Sequence, residues 1–429
     1  MVPCSKKKDN MEKNRKLLVL GGTTNMIDLV KTAQRMGIYT IVTDWYDTIK
    51  SPAKLVADEY WNISITEYET LARKIEDNGI TGIIASITDS YLQPYAHLCK
   101  LCKLPCYATK EVLALSTNKV KFKNMCIAND VPVARKYDID VHDDNQVAAL
   151  PYPVIVKPSD GSGSRGFNIC QDKEELKRNY ENALRYSPGK DVIIEDYIPY
   201  DAAIIHYTMI DGKCYYSGMS DKISRNFKST GASVMAFQQF PSNGERAYLA
   251  SLDEKVRHMF EQAEFRDGPI WIETFYGGGN KFIFNEMAHR FGGSLTYHPV
   301  QYFYGISQIE MLINSAFGIK NTTLPRLREK QLNYCIIPIH CKPGTIIKIE
   351  GTEAIQRRND VYAYCPTKSI GQQIDEWGSA QQVFCYLHVL FENANKLKES
   401  IESILLQLKV IDEKGNNMLY TLFDLNSIS

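Results

Sequence analysis

Lys157, Glu273, Glu286 and Arg290 are the side chains whose neighbourhoods best fit chemistry on phosphate. Lys157 ends a β-branched run, Val154-Ile155-Val156, and the chain then passes through Gly161, Ser162, Gly163, Ser164, Arg165 and Gly166. Glycines lack the Cβ that keeps backbone N–H groups apart, so such a loop can close around an anion. A lysine just before it adds a point charge for the same anion. As a bare pattern the stretch also reads as a flexible hairpin loop, because Gly and Ser are ordinary turn residues.

The second constellation lies in Pro269–Met287. Gly277, Gly278, Gly279 and Asn280 supply a turn between two apolar runs, which reads as a hairpin. With an even loop, Tyr276 pairs with Lys281, Glu273 with Phe284 and Glu286 with Trp271. The two glutamates then share a face as diagonal neighbours, ~7–8 Å apart. An odd loop would put them on opposite faces. On one face, two carboxylates among Ile, Phe and Trp need a cationic partner, and Mg²⁺ shared with phosphate oxygens fits. Solvated glutamates on an edge strand are the plainer reading. Arg290 follows, next to Gly292-Gly293, within reach of a phosphoryl group or paired with one of these glutamates.

Strands and helices must hold these groups. Lys16–Gly21, Tyr39–Thr43 and Gly82–Ser86 read as strands alternating with amphipathic helices, the second of them Tyr68–Asn78, a rhythm that predicts a doubly wound sheet. Gly21-Gly22-Thr23-Thr24 with Asp44 lacks the full dinucleotide spacing and reads as a structural βα turn. A helix is expected at Val120–Asn129, after Asn118-Lys119, and another over Leu252–Glu264. Beyond about Pro325, strands Asn333–Ile339, Thr345–Glu350 and Gln382–Phe391 and a helix over Asn393–Leu408 predict a separate C-terminal α+β module.

Bulk properties narrow the function. The 429 residues suggest several domains, and 50 basic against 50 acidic residues give zero formal charge. That disfavours nucleic acid or an anionic membrane as a partner. No apolar run reaches membrane-helix length. A polar N-terminus without an apolar core, together with eleven cysteines, points to a reduced cytoplasmic protein. Cys99, Cys102 and Cys106 could be read as metal ligands, but the helical spacing of the first two with Leu98 and Leu101 favours core packing.

Taken in order, these pieces resemble the ATP-grasp superfamily, which includes biotin carboxylase, the carbamoyl-phosphate synthase large chain and L-amino-acid ligases. The last of these is the most similar in layout. The resemblance implies a mixed α/β and α+β multidomain fold: a lead-in over 1–15, a Rossmann-like domain over 16–115, an ATP-grasp domain over 116–322 with a flap subdomain at about 122–190, and a C-terminal α+β domain over 323–429. By position, Lys119 and Lys157 resemble the ATP-contacting lysines. Ser162, Gly163, Ser164 and Gly166 resemble the phosphate flap. Glu195, Asp196, Tyr197 and Ile198 resemble the hinge whose backbone reads adenine. Glu273 and Glu286 resemble the Mg²⁺ ligands, a place Mn²⁺ can also take, and Arg290 the arginine facing the acceptor. Two positions depart from the family pattern. Ala202 stands where many members carry a ribose-binding Glu, with Asp201 beside it as a substitute. Ala288 stands where many carry a metal-side Asn.

The implied reaction is ATP-dependent carboxylate–amine ligation through an acyl phosphate, with Arg290 and Lys157 as the catalytic pair. Small carboxylates and amines, amino acids among them, are the implied substrates, and a homodimer the implied assembly. A relative activating formate or bicarbonate is the nearest rival, and the surroundings of Asp221–Arg225 and His298 bear on that choice. An ATP-binding protein without turnover comes next, and a Rossmann oxidoreductase last.

Overall fold

The computed structural model describes residues 15–160, 166–226, 233–329, 331–375 and 378–422. Strands β1 (Lys16–Leu20), β2 (Tyr39–Thr43), β3 (Glu59–Trp61) and β4 (Gly82–Ile84) form a parallel sheet in the order β3-β2-β1-β4. That order is the doubly wound one, with crossovers packing helices against the sheet. Leu17, Leu18, Val19, Ile41, Val42 and Ile83 are all fully buried, as a sheet covered on both faces requires.

The first βα turn is packed against its own neighbours. Asp44 is buried and its carboxylate accepts from the Gly22 N–H at 2.7 Å and pairs with Lys54 at 2.9 Å. Gly21 has φ +86°, and a Cβ there would lie 2.2 Å from the Tyr91 ring.

A small antiparallel sheet follows: β5 (Val154–Pro158), flanked by β6 (Asn168–Cys170) and β7 (Val192–Asp196). Its core of Val154, Val156, Cys170, Leu176, Ala183 and Ile194 packs under the helix Lys173–Tyr186. Asp172 caps that helix by accepting from the Glu175 N–H.

The largest sheet is antiparallel throughout. It contains β8 (Asp201–Ile210), β9 (Lys213–Asn226), β10 (Ser233–Phe240), β11 (Gly268–Tyr276), β12 (Phe282–Ala288), β13 (Asn333–Cys341), β15 (Val361–Pro366) and β17 (Val383–Phe391). Between the last three lie β14 (Gly344–Glu350) and β16 (Gln373–Ile374), which belong to a smaller sheet. The large sheet runs β12-β11-β8-β9-β10-β13-β17-β15.

This order corrects the expectation of a separate C-terminal module. The C-terminal strands have their own core, with Ile337, Phe384, Leu387 and Ile401, yet β13 pairs directly with β10 (Phe240↔Tyr334), so they extend the central sheet. The helix expected over Leu252–Glu264 is present as Asp253–Gln262, and a further helix, Glu245–Ser251, precedes it. No described helix is long and apolar enough to cross a membrane.

Candidate active site

Three lysines come together from two elements. Asn118 caps the helix Lys119–Ala128 by accepting from the Lys121 N–H at 3.0 Å, which fixes Lys119 at the helix's first position. Lys123 is one turn on, on the same face. Strand β5 carries Lys157, 5 % exposed. The Lys119 N–H donates to the Ser159 carbonyl at 3.0 Å, joining helix start and strand end.

Lys123 and Lys157 share one partner, the buried carboxylate of Glu195. Burial alone would raise that carboxyl, but the charges of Lys157 and Lys123 outweigh it and hold it below the usual range. Burial and the neighbouring Lys157 push Lys123 down to about 8. One carboxylate between two lysines explains both directions: Glu195 gains from two cations, whereas Lys123 meets a like charge as well as an opposite one.

The hairpin brings in the carboxylates, by a register that differs from the expected one. Tyr276 pairs with Phe282, so the loop has an odd length, and Thr274 pairs with Phe284. A bulge then inserts Asn285, and Glu273 pairs directly with Glu286. The bulge compensates for the odd loop, so the glutamates share a face as direct rather than diagonal neighbours. The extra residue is itself part of the site. Asn285 accepts from Lys157 Nζ at 2.7 Å and donates to Glu273 Oε1 at 2.8 Å. Lys222, on β9, donates to Glu273 Oε2 at 2.5 Å. Lys119 Nζ lies 3.3 Å from Glu286 Oε2. Burial works against the Glu273 carboxylate, but Lys222 outweighs it and lowers the pKa.

Two clefts meet at Glu286 and Trp271. The larger, about 520 Å³, lies among Asn118, Lys119, Asp160, Tyr186, Glu286 and Arg290. The smaller, about 140 Å³, lies among His206, Lys222, Gln238, Glu273, Gly293 and Ser294. Trp271 Nε1 and His206 Nε2 are buried without a hydrogen-bond partner among the described residues, so the small cleft offers unspent polar atoms. Burial pushes His206 down to about 3, leaving it neutral.

The other expected residues fall as follows. Arg290 lines the large cleft and is paired with Asp89, not with either glutamate. Asp196 gives its N–H to the Arg135 carbonyl, whereas Tyr197 and Ile198 lie beyond the end of β7. Asp201 opens β8, with an exposed side chain. Gly166 has φ +73°. Ser162, Gly163 and Ser164 lie outside the described residues. Ala288 is buried opposite Trp271, and Asn285 supplies an amide beside the Glu273–Glu286 pair instead. Sequence reasoning missed Lys123, Asn285 and Asp89, whereas Lys222 falls in the Asp221–Arg225 stretch expected to bear on the acid. Of the missed residues, only Lys123 carried a signal, its i,i+4 spacing from Lys119 on an expected helix.

An all-oxygen pair, directly opposed and opening on both clefts, fits Mg²⁺, which takes one or two carboxylates plus phosphate oxygens. Lys119 and Lys157 sit beside that pair, where phosphate charge would fall.

Residues 118–208 match the family described as the carbamoyl-phosphate synthase L chain, ATP binding domain. The chain is 28 % identical over 325 residues to a formate-dependent phosphoribosylglycinamide formyltransferase from Sulfurisphaera tokodaii, covering 71 % of this chain and 77 % of that protein. The biotin carboxylase domain of the Hydrogenobacter thermophilus 2-oxoglutarate carboxylase, solved with MgADP and bicarbonate, superposes with a TM-score of 0.77 at 18 % identity, covering 95 % of this chain and 91 % of that one. An L-amino acid ligase from Bacillus licheniformis gives 0.72 at 16 % identity, covering 94 % and 99 %. Fold and site thus define the class: residues 118–208 form an ATP-grasp ATP-binding domain, and the chain has the fold of ATP-grasp enzymes. Within that class it is similar to ligases that use ATP to form C–N bonds.

Proposed function

We propose that this chain uses Mg-ATP to activate a small carboxylate as an acyl phosphate and passes the acyl group to an amine, releasing ADP and phosphate. The observation that carries this reading is the continuous polar chain Glu195–Lys157–Asn285–Glu273–Lys222, with Lys119 on Glu286 at its side. It puts three cations and two metal-competent carboxylates around the junction of two clefts. One cleft is large enough for a nucleotide's phosphate end, and the other is small.

In this reading Lys119 and Lys157 neutralise nucleotide phosphates, and Tyr197 and Ile198 present backbone groups to adenine. Glu273 and Glu286 hold Mg²⁺, which when bound offsets charge on the transferring phosphoryl group. Lys222, Trp271 Nε1 and neutral His206 line the place for the acid. Arg290 faces the reacting centre from the large cleft. The small cleft is about the size of an engineered cavity that accepts one benzene. That suits acids from formate to a modest amino acid, and the formyltransferase similarity keeps formate activation as the second reading.

The test is Mg-ATP-dependent phosphate release across formate, bicarbonate and amino acids, each with and without an amine, with Glu286→Ala as the blank. Release that requires one acid–amine pair and is lost in the variant supports ligation. Release with bicarbonate or formate alone selects the second reading. Mg-ATP binding without release on any pair would overturn both.

A further inference from the structure

Three metal-ligating side chains from three parts of the chain, none of them lining either cleft, converge on one point. Asp28 lies in the first turn of the helix Ile27–Arg35, against the parallel sheet. His298 is on the helix Tyr297–Tyr304, and Cys365 is on β15. His298 Nε2 lies 3.3 Å from Asp28 Oδ2 and 3.4 Å from Cys365 Sγ. The three ligand atoms are all within 4.8 Å of one another.

The geometry separates two kinds of chemistry. A thiol activated by a His–Asp pair needs the carboxylate on one ring nitrogen and the thiol on the other. Here carboxylate and thiol both approach Nε2, so no relay runs through the ring. Three donor atoms instead surround one point. With Zn–S of about 2.3 Å and Zn–N and Zn–O of about 2.0–2.1 Å, a tetrahedral ion sets an S-to-N edge of about 3.5 Å and an N-to-O edge of about 3.3 Å. The observed separations are close to both.

The surroundings fit an ion too. The Tyr297 hydroxyl donates to Asp28 Oδ2 at 3.0 Å, orienting the carboxylate as outer partners of metal ligands do. The His388 ring packs edge-on against the His298 ring, 4.9 Å between centroids. Cys365 is buried, the His298 side chain is 15 % exposed and that of Asp28 45 %, so the cluster opens to solvent on the Asp28 side. We propose that Asp28, His298 and Cys365 bind a thiophilic divalent transition-metal ion of the Zn²⁺ class, with a fourth position open to water. Its soft sulfur donor sets it apart from the all-oxygen Glu273–Glu286 pair. Such an ion would cross-link the parallel-sheet layer, the helix that follows Gly292-Gly293-Ser294, and the C-terminal strands.

Titration of the full-length protein with Co²⁺ tests this, because cobalt reports thiolate ligation by a near-ultraviolet charge-transfer band and tetrahedral geometry by visible bands. One equivalent should bind and be displaced by Zn²⁺. Cys365→Ser should abolish the charge-transfer band, and Asp28→Asn and His298→Gln should each weaken binding at least tenfold. The Cys99→Ser/Cys106→Ser double variant should keep the spectrum, and Mg-ATP binding checks that each variant is folded. Asp28→Asn, at the exposed side, keeps the test decisive if the buried thiol variant fails to fold. No band at stoichiometric Co²⁺, or a band that survives both Cys365→Ser and His298→Gln, overturns the proposal.

Discussion

Arg290 and Asp89, 201 residues apart, are joined by two N–H···O bonds of 2.5 Å each. The pair ties the loop after the Glu273–Glu286 hairpin to the helix Asp89–Leu101 of the parallel-sheet layer. The guanidinium also donates to the Phe291 carbonyl at 2.8 Å and lies 5.3 Å above the Trp271 ring. Its orientation is therefore fixed from three directions before any substrate arrives.

Asp89 should accordingly act as a positioning residue. Asp89→Asn keeps the shape and removes the charge, freeing the guanidinium to turn. Phosphate-release kinetics should show kcat falling about tenfold or more, with KM for ATP changed less than about threefold, since misplacement costs the reacting geometry rather than nucleotide binding. An equal loss in ATP affinity would assign the pair to nucleotide binding instead.

The two hairpin carboxylates should separate stability from metal use. The Glu273 side chain is 13 % exposed and holds Lys222, whereas that of Glu286 is 33 % exposed and meets Lys119 at 3.3 Å. Glu273→Gln strands a lysine in a half-buried site and should cost ~1–3 kcal/mol in chemical denaturation. Glu286→Gln should cost less, under ~1 kcal/mol, because its contact with Lys119 is longer and its own side chain more exposed. It should instead raise the Mg²⁺ concentration for half-activity at least tenfold. The reverse pattern would mean that Glu273, not Glu286, is the more available metal ligand.

Lys123 gives a pH dependence of definite sign. Its folded value is about 8, below the ordinary 10.5, chiefly through burial and then the charge of Lys157. Between these values the unfolded chain holds the extra proton, so this group's contribution to stability rises with pH through that window and is level below it. The difference in unfolding free energy between the parent protein and Lys123→Met should therefore climb from pH 8 upward, by at most ~1.4 kcal/mol per pH unit. Over the same range Glu195 loses one of its two cations and keeps Lys157 closer, so calorimetric Mg-ATP affinity should fall. A level difference curve would show that Lys123 stays charged.

The legible parts of the site were those carried by local signals. Lys157 ends a β-branched run, Asn118 is a helix cap, and the glycines mark the hairpin turn, so each could be placed by propensity and spacing alone. What stayed hidden needed the third dimension. Asn285 enters because a bulge offsets an odd loop, and neither the loop length nor the bulge is set by local preference. Asp89 meets Arg290 only when the parallel-sheet layer packs against the hairpin. The continuous sheet through β10 and β13 was hidden for a similar reason. A change of texture near Pro325 marks a new hydrophobic core, but it does not say whose edge the next strand will join.

Cys106 should be the most reactive of the described thiols. Of the ten described cysteines it alone is exposed, while Cys102 is half-buried and the others are buried. The Cys99 thiol donates to its sulfur and, against the effect of burial, lowers it to about 7. The Cys99 thiol is correspondingly pushed up, chiefly by that same contact and by burial. Iodoacetamide near neutral pH should label Cys106 first, as read by peptide mass spectrometry, while Cys126, Cys335 and Cys385 stay unmodified until the protein unfolds. Cys99→Ala removes the donor and should slow labelling of Cys106 severalfold at pH 7. The slowing should vanish above pH 9, where the thiolate forms without help. Equal rates in parent and variant at pH 7 would mean that exposure alone, and not the Cys99 hydrogen bond, governs this thiol.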